Sequence, residues 1–161
     1  MSRIIRPAEP RDAAALGRVH VECWREAYAH LLTEEFLAGL DPQQRGERWS
    51  AMLADPRADD RVAVLEVDGG LRGFAMAGSS IDDDAPRATS LYALYVFATE
   101  YGTGAGQQLL DAVLGDEPAS LWVATDNPRA QAFYRRNGFA LDGTEKVEPT
   151  WEDLRESRMV R

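Results

Sequence analysis

The chain has 161 residues, 27 of them acidic and 18 basic, which gives a net charge of −9 at pH 7. This length suits one domain, and the acidic balance argues against nucleic acid or an anionic membrane as a partner. It mildly favours a cationic substrate, although solubility alone explains the charge equally well. A single cysteine, no basic segment leading into an apolar run and no long apolar stretch predict a cytoplasmic protein without disulfide or membrane span.

The N-terminal part is predicted to form a strand followed by a helix. Ile4 and Ile5 indicate a short strand, and Pro10 suits the first turn of a helix. Apolar side chains then recur at helical spacing and predict a buried face; they are Leu16, Val19, Cys23 and Ala27. Cys23 is therefore interpreted as a core thiol rather than a nucleophile. His20 is interpreted as a satisfied core histidine, and neither histidine has metal-ligand spacing, so no metal site is predicted.

Two more helices and a hairpin are predicted next. Thr33 caps the first of these helices, and Asp41-Pro42 ends it. Residues 44–53 form the second, which stops before Pro56. The period then changes, and residues 62–67 and 71–78 are predicted to form a hairpin around Asp68-Gly69-Gly70. The following run of residues 82–84, all Asp, is a loop for which a solvated turn and recruitment of a cationic substrate both stay open.

Residues 91–114 combine a strand, a glycine turn and a helix in one continuous unit. Residues 91–97 carry no charge, which predicts a strand covered on both faces. Gly102, Gly104 and Gly106 permit positive φ and the close approach of a bound group. The helix formers that follow would aim unpaired N–H groups at this turn, so an anion site, usually for phosphate, is predicted.

Two familiar phosphate ligands are excluded by the spacing of the turn. A GxGxxG beginning at Gly102 or Gly104 fails because Gln107 or Leu109 stands at its third glycine position, so the dinucleotide fingerprint is absent. A nucleoside triphosphate P-loop needs Lys followed by Ser or Thr after its last glycine, where this chain has Gln107 and Gln108.

The remaining elements complete an alternating pattern. Residues 120–124 are predicted as a strand, residues 128–136 as a helix capped by Asn137-Gly138, and residues 139–141 and 156–160 as final strands. The order of strands and helices implies an α/β protein, with a mixed sheet and helices on both faces.

Residues 101–106 resemble the pyrophosphate motif Q/R-x-x-G-x-G/A of the GNAT superfamily of acyl-CoA-dependent N-acyltransferases, with Tyr101 in place of Gln or Arg. Residues 121–123, 126–130 and 133–139 resemble the strand, the Asn-bearing turn and the helix with the FYxxxGF ending of that family. Trp24, Arg25 and Tyr28 resemble the Trp-Arg-x-x-Tyr of one of its branches, so the resemblance covers essentially the whole chain.

The resemblance implies a GNAT-like, mostly antiparallel sheet of about six to seven strands in a single domain over residues 1–161. It implies acetyl-CoA as co-substrate, and a primary amine that attacks it directly in a ternary complex. The implied cofactor-binding residues are Leu94, Tyr95, Val96, Tyr101, Gly102, Thr103, Gly104, Ala105, Gly106, Gln107, Asn127 and Tyr134. Tyr134 is the implied acid for the departing thiolate. Candidate acceptor-site residues are Trp24, Tyr28, Asp82, Asp83 and Tyr92.

The general base stays open at this level. An amine with a pKa near 10.4 must lose a proton before it attacks, yet Ser90 stands where many relatives carry Glu. The alternatives are a water relay or one of Glu22, Glu26, Tyr92, Asp82 and His20. A non-catalytic acyl-CoA-binding module is the alternative function, and the acceptor and the assembly state, monomer or homodimer, are undetermined.

Overall fold

In the computed structural model, which describes residues 1–161, seven strands form one sheet. The strands are β1 (Arg3–Pro7), β2 (Arg61–Val67), β3 (Gly70–Ser79), β4 (Thr89–Val96), β5 (Ser120–Ala124), β6 (Ala140–Glu148) and β7 (Leu154–Val160). The helices are α1 (Ala13–Ala27), α2 (Glu34–Ala38), α3 (Pro42–Ala54), α4 (Ala105–Val113) and α5 (Pro128–Arg136). Short 3-10 turns lie at Pro10–Asp12, Ala98–Glu100 and Pro149–Trp151.

The sheet order is β1-β2-β3-β4-β5-β7-β6, and every neighbouring pair is antiparallel except β4 and β5. These two parallel strands pair only at Ser90 with Ser120 and Leu91 with Leu121. Beyond that point β4 continues to Val96 without β5 beside it. The sheet therefore opens into a cleft between its two central strands.

Helices cover both faces of the sheet because its strands alternate apolar side chains to either side. Val64 packs with Leu16 and Trp49 of α1 and α3. Its chain neighbour Leu65 packs on the opposite side with Leu109 of α4. The prediction of an α/β fold with a mixed, mostly antiparallel sheet and helices on both faces is confirmed.

Most predicted elements are present, and two differ in extent. Asp41-Pro42 does not merely end a helix: the Asp41 side chain accepts a hydrogen bond from the Gln43 N–H at 2.9 Å and Pro42 opens α3, where a missing N–H costs nothing. The strand predicted at residues 139–141 extends to Glu148, although the register shifts between Leu141 and Glu145. Pairing with β7 overrides a local sequence poor in strand formers.

No helix in the structure has both the length and the apolar character that crossing a membrane requires.

Candidate functional site

A cavity of about 660 Å³ occupies the cleft where β4 and β5 separate. Residues 91–96 of β4 and 121–123 of β5 form its walls, and the glycine turn and α5 form its rim. The C-terminal end of α1 closes the other side with Glu26, Tyr28 and His30. The open edge of β4 in this region has backbone N–H and C=O groups that no strand pairs, so they are available to a ligand.

The glycine turn has the backbone conformation that its sequence predicts. Gly102 has φ +75° and Gly104 has φ +85°, and Gly104 is the N-terminal cap of α4. Gly106 and Gln107, in the first turn of α4, line the cavity. The unpaired N–H groups and the positive end of the helix dipole thus meet the cavity at one rim. An anionic group is the expected occupant.

Tyr134 of α5 is a buried residue that lines the cavity. Only 9% of the residue is exposed, and its ring packs edge-on against Phe133 and Phe139. Burial raises the pKa of the Tyr134 hydroxyl well above its usual range. The hydroxyl therefore keeps its proton at neutral pH and can act as a hydrogen-bond donor.

Asn127 lies at the start of α5 and lines the cavity. Its side-chain oxygen accepts a hydrogen bond from the Ala130 N–H at 3.2 Å, which caps the helix. Its amide group thus has a structural partner on the helix side, and the residue also faces the cavity.

Most residues predicted to bind the cofactor converge on this cavity. Those that line it are Leu94, Tyr95, Val96, Tyr101, Gly102, Gly104, Gly106, Gln107, Asn127 and Tyr134. Thr103 and Ala105 do not: the Thr103 hydroxyl bonds to the Glu100 carbonyl at 2.6 Å, and Ala105 is buried in the core.

An aromatic cluster joins α1 to the sheet on the α1 side of the cavity. The hydroxyls of Tyr28 and Tyr95 lie 3.0 Å apart, and both residues line the cavity. Trp24, predicted to face the acceptor, does not line the cavity, because its ring is buried against Tyr28 and Trp151 at centroid distances of 4.9 and 4.6 Å. Trp24 thus supports the cavity wall from behind.

The acidic loop is attached to the sheet instead of projecting freely. Asp82 accepts a hydrogen bond from the Trp122 indole at 2.8 Å, and Asp84 pairs with Arg158 at 3.2 Å. Asp83 is exposed, and neither Asp82 nor Asp83 lines the cavity. Tyr92 does line it, with its hydroxyl bonded to the Ser79 carbonyl.

The candidate bases named from the sequence have other partners. His20 accepts a hydrogen bond from the Trp49 indole at 3.2 Å, and burial lowers its pKa to about 3. Glu22 is exposed and pairs with Arg25 at 2.8 Å. Glu26 lines the cavity but accepts the Ala98 N–H at 2.9 Å. Ser90 is buried inside β4.

Glu156 is a further carboxylate that sequence reasoning missed. It is only 7% exposed, it accepts no hydrogen bond, and its nearest cation is Lys146 at 4.0 Å. In β7 it pairs with Ala124, just as Arg158 pairs with the cavity residue Trp122. Because side chains two residues apart share a face, Glu156 lies on the Trp122 side of the sheet.

The electrostatics link Glu156 to the tyrosine pair. Burial raises the pKa of Glu156, the nearby Lys146 charge opposes that change, and Glu148 adds to it. Burial likewise raises the pKa of Tyr28 and of Tyr95, and the Glu156 charge raises both further. The sequence offers Glu156 only as the first residue of the strand predicted at residues 156–160, and that position alone does not reveal burial.

Cys23 is 1% exposed within the core, and burial raises the pKa of its thiol to about 12. It matches the predicted core thiol. Nowhere in the structure do three or more His, Cys, Asp or Glu side chains form a group able to hold a metal ion.

A sequence model of the acetyltransferase (GNAT) domain matches residues 58–141, which hold the cleft strands, the glycine turn and Tyr134. The chain belongs to the GNAT family. The predicted family and the prediction of an N-acetyltransferase are thereby confirmed.

Relatives of the family extend over nearly the whole chain. A probable N-acetyltransferase of Mycobacterium tuberculosis is 28% identical, covering 93% of this chain and 85% of the relative. An uncharacterized N-acetyltransferase of Bacillus subtilis is 27% identical, with 93% of each chain covered. Among solved structures, the PaiA N-acetyltransferase of Thermoplasma acidophilum, in complex with coenzyme A, superposes with a TM-score of 0.74 at 21% identity, covering 98% of both chains. The YncA acetyltransferase of Salmonella typhimurium, with acetyl-CoA, gives 0.69 at 17% identity, covering all of this chain and 94% of that one.

Proposed function

We propose that this chain, as a single domain working in the cytoplasm, transfers an acetyl group from acetyl-CoA to a primary amine in a ternary complex. The observation that carries the proposal is the cleft between β4 and β5, with the N-terminus of α4 at its rim and Tyr134 in its lining. The coenzyme A and acetyl-CoA in the PaiA and YncA structures support the choice of cofactor.

The cavity residues divide by chemistry into a phosphate end and a thioester end. The first-turn N–H groups of α4 would hold the cofactor pyrophosphate, because they are unpaired donors at a positive helix end. The open edge of β4 and Asn127 would hold the pantetheine chain. An N–H among Leu94, Tyr95 and Val96 would donate to the thioester oxygen and stabilise the charge that develops on it.

Tyr134 would supply the proton that the leaving sulfur needs. Burial raises its pKa, so the phenol is protonated at neutral pH. A thiol has a pKa of about 8.5, which is below that of Tyr134, so a transfer that left Tyr134 ionised would run uphill. The step balances when the surplus proton on the acetylated nitrogen moves to the Tyr134 oxygen as the Tyr134 proton moves to the sulfur, so that no tyrosinate forms.

Glu156 would receive the proton that the ammonium group must lose before attack. The Tyr28 and Tyr95 hydroxyls are 3.0 Å apart, both residues line the cavity, and the Glu156 charge is near enough to raise the pKa of each tyrosine. One hydroxyl takes the ammonium proton as the pair passes another proton to the Glu156 carboxylate, and Glu156 later releases it to water. For each acetyl group transferred, the ammonium nitrogen therefore loses two protons. One reaches solvent through Glu156, and the other ends on the CoA sulfur.

The test is release of free thiol from acetyl-CoA across a panel of amines that includes polyamines, amino acids, aminoglycosides and peptides with free N-termini. Turnover on any of them supports the proposal. Confirmed binding of CoA with no turnover anywhere on the panel favours the alternative, a non-catalytic acyl-CoA-binding module. The observation behind that alternative is the buried Ser90 in place of a carboxylate.

A further inference from the structure

The first position of the pyrophosphate motif holds Tyr101, which carries neither the charge of Arg nor the amide N–H groups of Gln. Tyr101 is 37% exposed at the rim of the cavity. The guanidinium carbon of Arg129 lies 3.2 Å from the centre of its ring. Arg129 belongs to the first turn of α5 and lines the same cavity. A cation from α5 is therefore held directly over the residue that departs from the motif.

The Arg129 guanidinium has no anionic partner within the protein. Arg129 takes part in none of the ion pairs and donates none of the side-chain hydrogen bonds of the structure. Glu100, which lines the same cavity, has its carboxylate bonded to Arg3. In a chain of net charge −9, an arginine left without a carboxylate beside an anion site has its charge available to a ligand.

The stacked arrangement suits a phosphate contact. A guanidinium lying flat on an aromatic ring keeps the N–H groups on its edge free, and these can bind two phosphate oxygens at once. Because the ring already restricts the side chain, less conformational entropy is lost when the phosphate binds. The Tyr101 ring thus orients the charge that Arg129 carries.

We infer that Arg129, held on the ring of Tyr101, binds the pyrophosphate of acetyl-CoA in place of the Gln or Arg of the motif. The inference rests on the proposed function, because it assigns a further residue of the same cofactor site. Arg129 is the binding residue, and Tyr101 is a positioning residue that acts through it. In this chain the cationic contact to the pyrophosphate therefore comes from α5 and not from the glycine turn.

The experiment measures the Kd of CoA and of 3′-dephospho-CoA by calorimetry on wild type and variants. Arg129→Gln is expected to weaken both ligands about tenfold or more, because a charge-assisted contact to phosphate is lost. Tyr101→Leu is expected to weaken both by a similar factor. The double variant should be no weaker than either single variant, because the two residues act as one unit.

A variant that moves the positive charge from position 129 to position 101 distinguishes phosphate binding by Arg129 from a purely structural role. Tyr101→Arg combined with Arg129→Gln returns a cation to the motif position and should restore most of the lost affinity. Arg135→Gln is the matched control: Arg135 lies on the same helix outside the cavity and donates to Gln131 at 3.3 Å. It should leave both Kd values unchanged. Thermal unfolding of each variant verifies that the fold is intact.

Three results would overturn these assignments in distinguishable ways. A wild-type protein that binds no CoA rejects the proposed function itself. Normal CoA binding by wild type with an equal Kd for Arg129→Gln rejects the role of Arg129 alone. A loss seen with CoA but absent with 3′-dephospho-CoA rejects the pyrophosphate, since the contact would then be to the 3′-phosphate.

Discussion

The ring and the hydroxyl of Tyr134 can be tested separately. The ring packs against Phe133 and Phe139, and the residue also lines the cavity. Tyr134→Phe keeps the ring and removes only the proton donor. We expect the Kd of acetyl-CoA to be retained and the chemical step to slow by about 10²–10⁴-fold, the usual contribution of general acid catalysis. Single-turnover measurement with both substrates saturating reports this step before product release can mask it. Equal single-turnover rates would make Tyr134 a packing residue only.

Glu156 provides a pH-dependent test of stability that needs no acceptor. Burial raises its pKa above the ordinary value of 4.5, so the folded protein holds this proton more tightly than the unfolded chain does. The folded state therefore loses stability as pH rises from 4.5 through the raised pKa, and the cost stays constant above it. We expect Glu156→Gln to raise the Tm at pH 8 and to leave it nearly unchanged at pH 4.

The matched control for this change is Glu145→Gln. Glu145 lies on the neighbouring strand β6, is exposed and pairs with Arg155 at 2.8 Å. Loss of the Glu145 charge should not raise the Tm at pH 8 to a comparable extent. A Glu156→Gln variant less stable than wild type at pH 8 would mean that the contact with Lys146 outweighs the cost of burial. If Glu156 accepts the amine proton, the same variant also loses the acidic limb of its kcat/KM profile once an acceptor is known.

At the scale of elements, the turn into α4 distinguishes two kinds of glycine. Gly104 has φ +85°, so a side chain there strains the backbone whether or not a ligand binds. Gly106 has no positive φ, and a Cβ there would lie 3.6 Å from Phe133 and 3.8 Å from Leu94, which are ordinary contacts. Gly106 is therefore the position at which ligand binding can be tested without straining the fold.

Gly106→Val introduces a side chain larger than the Ala that the family motif accepts at this position. The variant is expected to fold with a nearly unchanged Tm, since Val is no worse a helix former than Gly. The added side chain projects beside cavity-lining Phe133 and Leu94, so the Kd of CoA should rise about tenfold or more through crowding. Calorimetry and thermal unfolding measure the two effects separately. Gly39→Val, at the end of α2 and outside the cavity, is the control and should leave the Kd unchanged. Unchanged CoA affinity in a folded Gly106→Val variant would reject phosphate binding at this turn.

At the scale of the whole molecule, one sheet joins the N-terminal and C-terminal halves of the chain. Helices α1 and α4 pack against opposite faces of the same strands, so neither half has a core of its own. We expect one cooperative thermal transition by both circular dichroism and calorimetry. Two separated transitions would contradict a single domain over residues 1–161.

Acetyl-CoA should shift that transition as a unit. A ligand at 100 times its Kd stabilises the folded state by about 2.7 kcal/mol, which corresponds to a rise in Tm of about 5–10 °C for a chain of this size. The shift should appear equally in every spectroscopic probe. A shift confined to one probe would indicate local ordering in place of global linkage.

The elements near the site were predictable because their signals are local. Positive φ at Gly102 and Gly104 follows from glycine spacing, and the capping of α5 by Asn127 follows from an Asx residue before Pro128. The extent of β6 was not predictable, since β7 supplies pairing partners that the polar sequence of β6 does not reveal. The same holds for the loop at residues 82–84, where Asp82 bonds to Trp122 and Asp84 pairs with Arg158.

By itself, the sequence determined the order of elements, the glycine turn and the family to which they belong, because each depends on residues close together in the chain. Only the tertiary structure decided which distant groups come together: the buried Glu156, whose charge acts on the tyrosine pair, and Arg129, stacked on Tyr101. Periodicity shows which face of a helix or strand is apolar, but not which other element covers it. The phosphate contact proposed for Arg129 and the proton transfer proposed for Glu156 depend on that second fact, because burial and proximity set both.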